Sequence, residues 1–203
     1  MITPAINEVI GNTDIYLIDQ ILKGRYGAQD RILDAGCGHG RNMHWFLHNG
    51  MLIFGIDRDF SAIEELKALH PELDGDRLRA CPVESMPFPD DYFDHLVSSA
   101  VLHFADGPDQ FLAMWQEMVR ILKPGGSLFV RMASNIGIEN KVKPAGSGVY
   151  LVPDGSFRFL LTRDLLRSLL DIFPLDFLEP FKTTNVDDQR CMSTLVLQKY
   201  GKR

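Results

Sequence analysis

Cysteine is scarce in this chain of 203 residues: Cys37, Cys81 and Cys191 are odd in number, scattered, and form no C-x-x-C pair. That argues against a disulfide framework or a zinc site and points to a reducing cytoplasm. Long apolar runs are missing too, so no segment approaches the roughly 20 residues a membrane helix needs. The start, "MITPAINEVIGN", lacks the basic end and apolar core of a secretory signal. Basic clusters are absent apart from the last residues "GKR", read as a solvated tail, and the net charge of −6 disfavours wrapping nucleic acid. There is no internal repeat and no low-complexity stretch. What remains is 45% hydrophobic and 24% charged, enough for a sizeable core in one domain spanning 1–203.

Apolar periodicity divides that domain into alternating elements. "NTDIYLIDQILKG" reads as an amphipathic helix capped by Asn12 or Thr13, with Ile15, Ile18 and Ile21 on one face and Gly24 as its stop. "RILDAG" reads as a strand, "GRNMHWFLHNG" as a helix with Met43, Phe46 and Leu47 inward, and "MLIFGID" as a buried strand. "SAIEELKALH" is a helix in which Ser61 and Glu64 have capping-box spacing. "RLRACPV" is a weak strand and "FDHLVSS" a stronger one. "DQFLAMWQEMVRIL" is a helix with a Phe111, Trp115, Met118, Leu122 stripe, stopped by "KPGG". "SLFVRM" is a strand, "TRDLLRSLLDIF" a late helix and "STLVLQKY" a last strand. Such alternation implies an α/β fold with a mostly parallel sheet and helices on both faces. Between Met132 and Thr162 lies an unusually long connection, expected to be functional and to hold a small hairpin around Asp154-Gly155.

The first strand runs into Gly36, Gly38 and Gly40. Glycines between a strand and a helix permit a tight turn and close backbone approach to a ligand. The dinucleotide fingerprint would place its third glycine at position 41, where Arg41 stands instead. The second strand ends in Asp57, at the distance downstream where a ribose-binding acid is expected. A carboxylate there can accept from two vicinal hydroxyls, with its charge outside the core.

"ILDAGCGHG" with Asp57, "VESMPFPDDYFD" and "ILKPGGSLFV" together resemble the successive motifs of class I S-adenosylmethionine-dependent methyltransferases, over roughly residues 30 to 130. The resemblance implies a Rossmann-like, doubly wound, seven-stranded sheet whose last strand is antiparallel. It implies that the glycine loop, Gly36, Cys37, Gly38 and Gly40, lies beneath the methionine and ribose parts of the cofactor. It gives Asp34 to the cofactor's amino end, Asp57 to the ribose, and Arg58 to the neighbourhood of the adenine. The family often has Asp where this chain has Pro82, which leaves Val83 and Glu84 for the adenine. Ser98 and Ser99 fall where backbone reaches the methionine end, and His103 lies just beyond as an acceptor-side base or orienting group, or as a locally packed histidine. No metal is implied.

The expected activity is in-line transfer of a methyl group from S-adenosyl-L-methionine, giving S-adenosyl-L-homocysteine. The acceptor is expected to be a small molecule, since no added nucleic-acid or protein-binding domain is visible. Residues 1–28 would form a helical cap, and 133–161 a lid and acceptor region. Arg131 and Arg158 suit an anionic acceptor or a local carboxylate; Tyr16 and Tyr150 suit a closing role or the core. The layout is loosely similar to tellurite- and thiopurine-type bacterial methyltransferases. A non-catalytic cofactor-binding module and a nicotinamide-dependent oxidoreductase are the alternatives, the latter lacking its fingerprint.

Overall fold

A computed structural model describes residues 6–73 and 76–201; the first five residues of the expected cap and most of the "GKR" tail lie outside them. In chain order the elements are α1 (Ile6–Ile10), α2 (Ile15–Leu22), β1 (Arg31–Ala35), α3 (His44–His48), β2 (Leu52–Asp57), α4 (Phe60–Leu69), β3 (Leu78–Ala80) and β4 (Phe93–Ser99). A single 3-10 turn, Leu102–Phe104, follows. Then come α5 (Pro108–Ile121), β5 (Leu122–Ser134), β6 (Lys143–Gly146), β7 (Val149–Leu151), β8 (Phe157–Phe159), α6 (Arg163–Ile172), β9 (Leu175–Phe177), β10 (Lys182–Val186) and β11 (Arg190–Lys199).

The main sheet runs β10-β11-β5-β4-β1-β2-β3, with β9 also on β11. β1 to β5 pair in parallel, and β11 runs antiparallel to β5. This is the expected doubly wound architecture with an antiparallel last strand. The sheet has eight strands rather than seven. The difference has a simple origin. β10 pairs with Arg190–Thr194 of β11 and β9 with Leu197–Lys199, so two short strands share one edge as an interrupted seventh.

Side-chain alternation decides which face each residue serves. Leu33, Phe54, Leu96, Leu128 and Leu195 enter one apolar cluster together with Phe111 and Trp115 of α5. Their strand neighbours Ile32, Ile53, Val97, Phe129 and Val196 enter the opposite cluster with Leu17, Phe46 and Ile63. Strands buried on both faces in this way read as continuous apolar runs, as these do.

Helix starts depart from the sequence reading in two places. α2 is capped by Asp14, whose carboxylate accepts from Tyr16 N, rather than by Asn12 or Thr13. Its inward residues are Leu17 and Gln20, and Ile15 is exposed. α4 is capped by Asp59, which accepts from the amides of Ser61 and Ala62, so Ser61 lies inside the helix and starts no capping box. In both cases neighbouring residues competed for one role, and the acid next to the first turn holds it.

The long connection is folded. β6, β7 and β8 form a three-stranded antiparallel sheet, and the β7–β8 turn contains Asp154-Gly155 as expected. A bridge between Ser134 and Leu161 ties it to the end of β5.

β1 leads outward to β2 and β3, and the chain then returns to place β4 on its other side. The strand order therefore reverses between the C-terminal ends of β1 and β4, the crevice where ligands bind in open α/β sheets.

Candidate functional site

The crevice is occupied by the glycine loop. Gly36 N and Cys37 N both donate to the Ile56 carbonyl at 2.8 Å, which turns the chain sharply off β1. Gly36 has φ +87°, and a Cβ there would lie 2.3 Å from Val101 Cγ2. Gly40 has φ +77°, and a Cβ would lie 2.6 Å from Leu66 Cδ2. Close packing thus requires two of the three glycines. Gly38, at φ +51°, meets nothing within 4 Å. It is the glycine that keeps space open.

That space is a cavity of about 420 Å³. Gly36, Gly38, Asp57, Arg58, Val83 and Glu84, six of the expected cofactor residues, line it. Asp57 is more than an open acceptor: its carboxylate accepts from Gly38 N at 2.8 Å and from Asp59 N at 2.9 Å. It braces the glycine loop against the start of α4. Glu84 accepts from the Gln110 amide at 2.8 Å, so its carboxylate is already oriented. Pro82 also lines the wall.

Five expected cofactor residues line neither this cavity nor the one described below. Cys37 turns its thiol into the core, where burial pushes its pKa above the usual thiol range. Gly40 packs on Leu66. Ser98 is fully buried and its hydroxyl has no partner. Ser99 donates to Asp14 at 3.1 Å, which spends the hydroxyl on the N-terminal helix. Asp34 lies outside both linings as well, yet it is the least satisfied group of the region. It is 2% exposed and both carboxylate oxygens lack a partner. Burial, opposed by Arg41 and assisted by Asp57, raises its pKa to about 7. Buried carboxyls are nearly always hydrogen-bonded, so an orphan two residues before Gly36 marks a place for a cationic or hydrogen-bonding ligand group.

Apart from His103, sequence reasoning missed the residues that follow β4. Ala100 has φ +64° and donates its N–H to the Arg131 carbonyl at 2.8 Å. Val101, Phe104, Gln110 and Met114 line the cavity from the 3-10 turn and α5. The strained backbone at Ala100 carries no sequence signature, because alanine gives no warning of a left-handed conformation.

A second cavity of about 290 Å³ shares Ala100 with the first. Arg41, Arg131, Arg158 and Arg190 line it, with His103 and Asp154. His103 is buried and its Nδ1 accepts from Ala133 N at 3.2 Å, so in the neutral ring the proton is on Nε2. Burial, then Arg158 and Arg131, lowers its pKa to about 4. A neutral Nε2–H donor fits an orienting role better than that of a general base, which works best with a pKa near the operating pH. Tyr16 and Tyr150 line neither cavity; Tyr16 lies under the Arg131 guanidinium, 5.2 Å from the ring centre, and its hydroxyl bonds Thr184. Asp14, 3% exposed in its side chain, ties α2 to Arg131 at 3.1 Å. Among the described residues there is no cluster of metal-ligating side chains and no helix long and apolar enough to cross a membrane.

Comparison with known proteins places this geometry. The methyltransferase domain family matches residues 33–130. A probable S-adenosylmethionine-dependent methyltransferase of Mycolicibacterium smegmatis is 28% identical over 120 residues, 59% of this chain and 44% of that protein. A tRNA U34 carboxymethyltransferase of Pseudoalteromonas atlantica is 31% identical over 129 residues, 63% of this chain and 38% of that protein. The chain thus spans less than half the length of these relatives. The crystal structure of Burkholderia thailandensis 1,6-didemethyltoxoflavin-N1-methyltransferase, with its substrate and S-adenosylhomocysteine bound, superposes with a TM-score of 0.67 at 21% identity. That superposition covers 89% of this chain and 76% of that one.

Proposed function

Because the chain belongs to the class I S-adenosylmethionine-dependent methyltransferase superfamily, we propose that it transfers a methyl group from S-adenosylmethionine to a small-molecule acceptor. The observation that carries this reading is the pair of cavities meeting at Ala100, one over the glycine loop and one lined by polar and charged side chains. A donor and an acceptor in adjoining cavities have the arrangement that in-line displacement needs.

The residues of the first cavity fit the cofactor. Each Asp57 oxygen accepts one backbone N–H, and a carboxylate oxygen has a second lone pair. Asp57 therefore keeps capacity for two ribose hydroxyls while bracing the loop. Gly38 leaves room where a side chain would intrude. Asp34, enclosed without a partner, suits the ammonium of the methionine end, directly or through water. Pro82, Val83 and Glu84 form the adenine end of the wall. When bound, S-adenosylmethionine supplies an electrophilic methyl on a sulfonium, whose leaving group is a neutral thioether.

The protein's own contribution is then mainly alignment, which alone supplies a large share of barrier reduction in two-reactant chemistry. Ala100 sets the boundary between the cavities, and its N–H is fixed to β5. His103 offers Nε2–H as a neutral donor to the acceptor. The net charge of −6, with arginines gathered inside a cavity of about 290 Å³, favours a small acceptor over a nucleic acid.

Calorimetric titration with S-adenosylhomocysteine and with oxidised nicotinamide dinucleotide tests the cofactor assignment, and native mass spectrometry shows which ligand co-purifies. S-adenosylhomocysteine is expected to bind and the dinucleotide not to. Tight dinucleotide binding without any response to S-adenosylhomocysteine would overturn the reading.

A further inference from the structure

We propose that the second cavity is an oxyanion site, and that the methyl acceptor carries a carboxylate or phosphate group gripped there by Arg158 and Arg190. The inference rests on the acceptor reading of that cavity and names the class of molecule it takes.

Four arginines from four separate segments converge on it: Arg41 after the glycine loop, Arg131 on β5, Arg158 on β8 and Arg190 at the start of β11. Asp154 is the one carboxylate lining the same space. Four positive charges against one leave a formal +3, and adding Asp14 behind Arg131 still leaves +2. This excess sits in a chain whose formal net charge is −6.

Arg131 and Arg41 share Asp14, whereas Arg158 and Arg190 are not spent on ion pairs. Arg131 holds Asp14 through Nη1 at 3.1 Å, but its Nε is buried without an acceptor. Arg41 lies 3.9 Å from the same carboxylate, a weaker contact shared with Arg131. Arg158 bonds its neighbour's carbonyl, Phe157 O, and stacks 4.8 Å over the Phe104 ring. Among the described residues, neither Arg158 nor Arg190 has a carboxylate within ion-pair distance. Asp154 accepts from the amide and hydroxyl of Ser156 and also feels Arg190 and Arg158, all of which hold its pKa below the usual carboxylate range, so one carboxylate serves both arginines. Other nearby acids are also engaged: Asp188 with Lys141, and Glu139 with Gly137 N.

Guanidinium groups present a planar fork that matches carboxylate and phosphate oxygens bidentately. Guanidiniums in excess over carboxylates in a partly enclosed space repel one another, and a bound oxyanion relieves that repulsion. The same field acts on His103, whose protonation Arg158 and Arg131 oppose. That keeps the ring a neutral donor beside the anion. Arg158 also reaches the first cavity through Phe104, which lines it. The anion-holding side chain thus packs against a residue of the donor cavity's wall.

The test uses the full chain saturated with S-adenosylhomocysteine, titrated at low salt with benzoate, phenyl phosphate and the neutral isostere benzamide. At least one anion is expected to bind tenfold or more tightly than benzamide, and the stronger of the two identifies the group as carboxylate or phosphate. Arg190→Gln and Arg158→Gln should each weaken that anion at least tenfold, with S-adenosylhomocysteine affinity within threefold for Arg190→Gln. Benzamide binding as well as both anions, no anion binding up to millimolar concentration, or variants that leave anion affinity unchanged would each overturn the proposal. The S-adenosylhomocysteine titration that precedes these steps is a separate readout. Its failure strikes the cofactor assignment, whereas an intact cofactor response with no anion preference strikes the oxyanion site alone.

Discussion

Replacing Asp57 with alanine tests the most specific part of the site. Two amides, Gly38 N at 2.8 Å and Asp59 N at 2.9 Å, lose their acceptor in the ligand-free protein. Hydrogen bonds to a charged group contribute about 1.5–3 kcal/mol each when buried. These two are only partly enclosed, so about 1–2 kcal/mol in total is reasonable, and a chain of this size should melt roughly 2–8 °C lower. The chain alone suggests a smaller effect, since a strand-end acid looks like a surface charge; the bracing of the loop is what enlarges it. Binding of S-adenosylhomocysteine loses both the loop geometry and the carboxylate that takes the ribose. Two further charged hydrogen bonds amount to about 3 kcal/mol or more, which weakens affinity on the order of a hundredfold or beyond. Asp57→Asn keeps one acceptor oxygen and should fall between on both measures. Calorimetry beside ligand-free melting curves reads the two effects separately. If Asp57→Ala melts lower yet binds S-adenosylhomocysteine within threefold of the parent, Asp57 is a brace and nothing more, and the ribose assignment is wrong.

The remaining predictions concern neighbouring groups. Gly36→Ala forces a Cβ to 2.3 Å from Val101 and should destabilise the fold by about 2 kcal/mol or more. Gly38→Ala faces open space, so it should cost only the strain of its left-handed backbone, about 1–2 kcal/mol, while weakening cofactor binding more than that; melting and titration of both variants would expose a reversed order. Asp34 carries a folded pKa of about 7, raised by burial, so the stability associated with its neutral form is present at low pH and lost as pH rises from about 4 towards 7. Asp34→Asn should therefore raise the ligand-free melting temperature at pH 8 relative to the parent, more than at pH 5, while reducing S-adenosylhomocysteine affinity; an equal shift at both pH values would count against an ionised, unpartnered Asp34. His103 has the opposite sign. Its pKa of about 4 lies below the unfolded value, so it favours the folded state above about pH 6.5 and that contribution is lost as pH falls towards 4. His103→Gln should flatten the acid side of the stability curve, and urea unfolding between pH 4 and 7 that is unchanged by the substitution would contradict the assignment.

The glycine loop, Asp57 and the alternation of strands with helices could be read from the chain because each depends on local spacing: a strand must end where Asp34 and the glycines begin, and again at Asp57. The antiparallel last strand came from the family resemblance, and the strand order from the structure. The caps were less legible. Asn12, Thr13 and Asp14 are all capable of starting α2, and only the contacts of Asp14 with Ser99 and Arg131 select it. Cys37 and Gly40 sit in the right motif, yet motif membership does not say which side chains face a ligand and which fill the core. The second cavity was the least legible part. Its arginines lie at positions 41, 131, 158 and 190, so no window of sequence contains two of them. The sequence did single out Arg131 and Arg158 for an anionic acceptor or a local carboxylate, but nothing in it brought Arg41 and Arg190 into the same space.

Part of the wall of the second cavity comes from two hairpins. The β7–β8 hairpin brings Val152, Asp154, Ser156 and Arg158, and the β10–β11 hairpin brings Val186, Arg190 and Met192. Asp154 N donates to Gln189 O at 3.2 Å, so the tips clasp one another. None of these residues lines the glycine-loop cavity. The molecule therefore separates its vocabulary into two parts. The loops after β1, β2 and β4 fall within residues 33–130, which the methyltransferase domain family matches, while the two hairpins lie outside that stretch. Turns of that kind accept substitution and changes of length with little effect on a core, so on the acceptor reading proposed above one acceptor could be exchanged for another by redrafting about a dozen residues without disturbing the glycine-loop cavity.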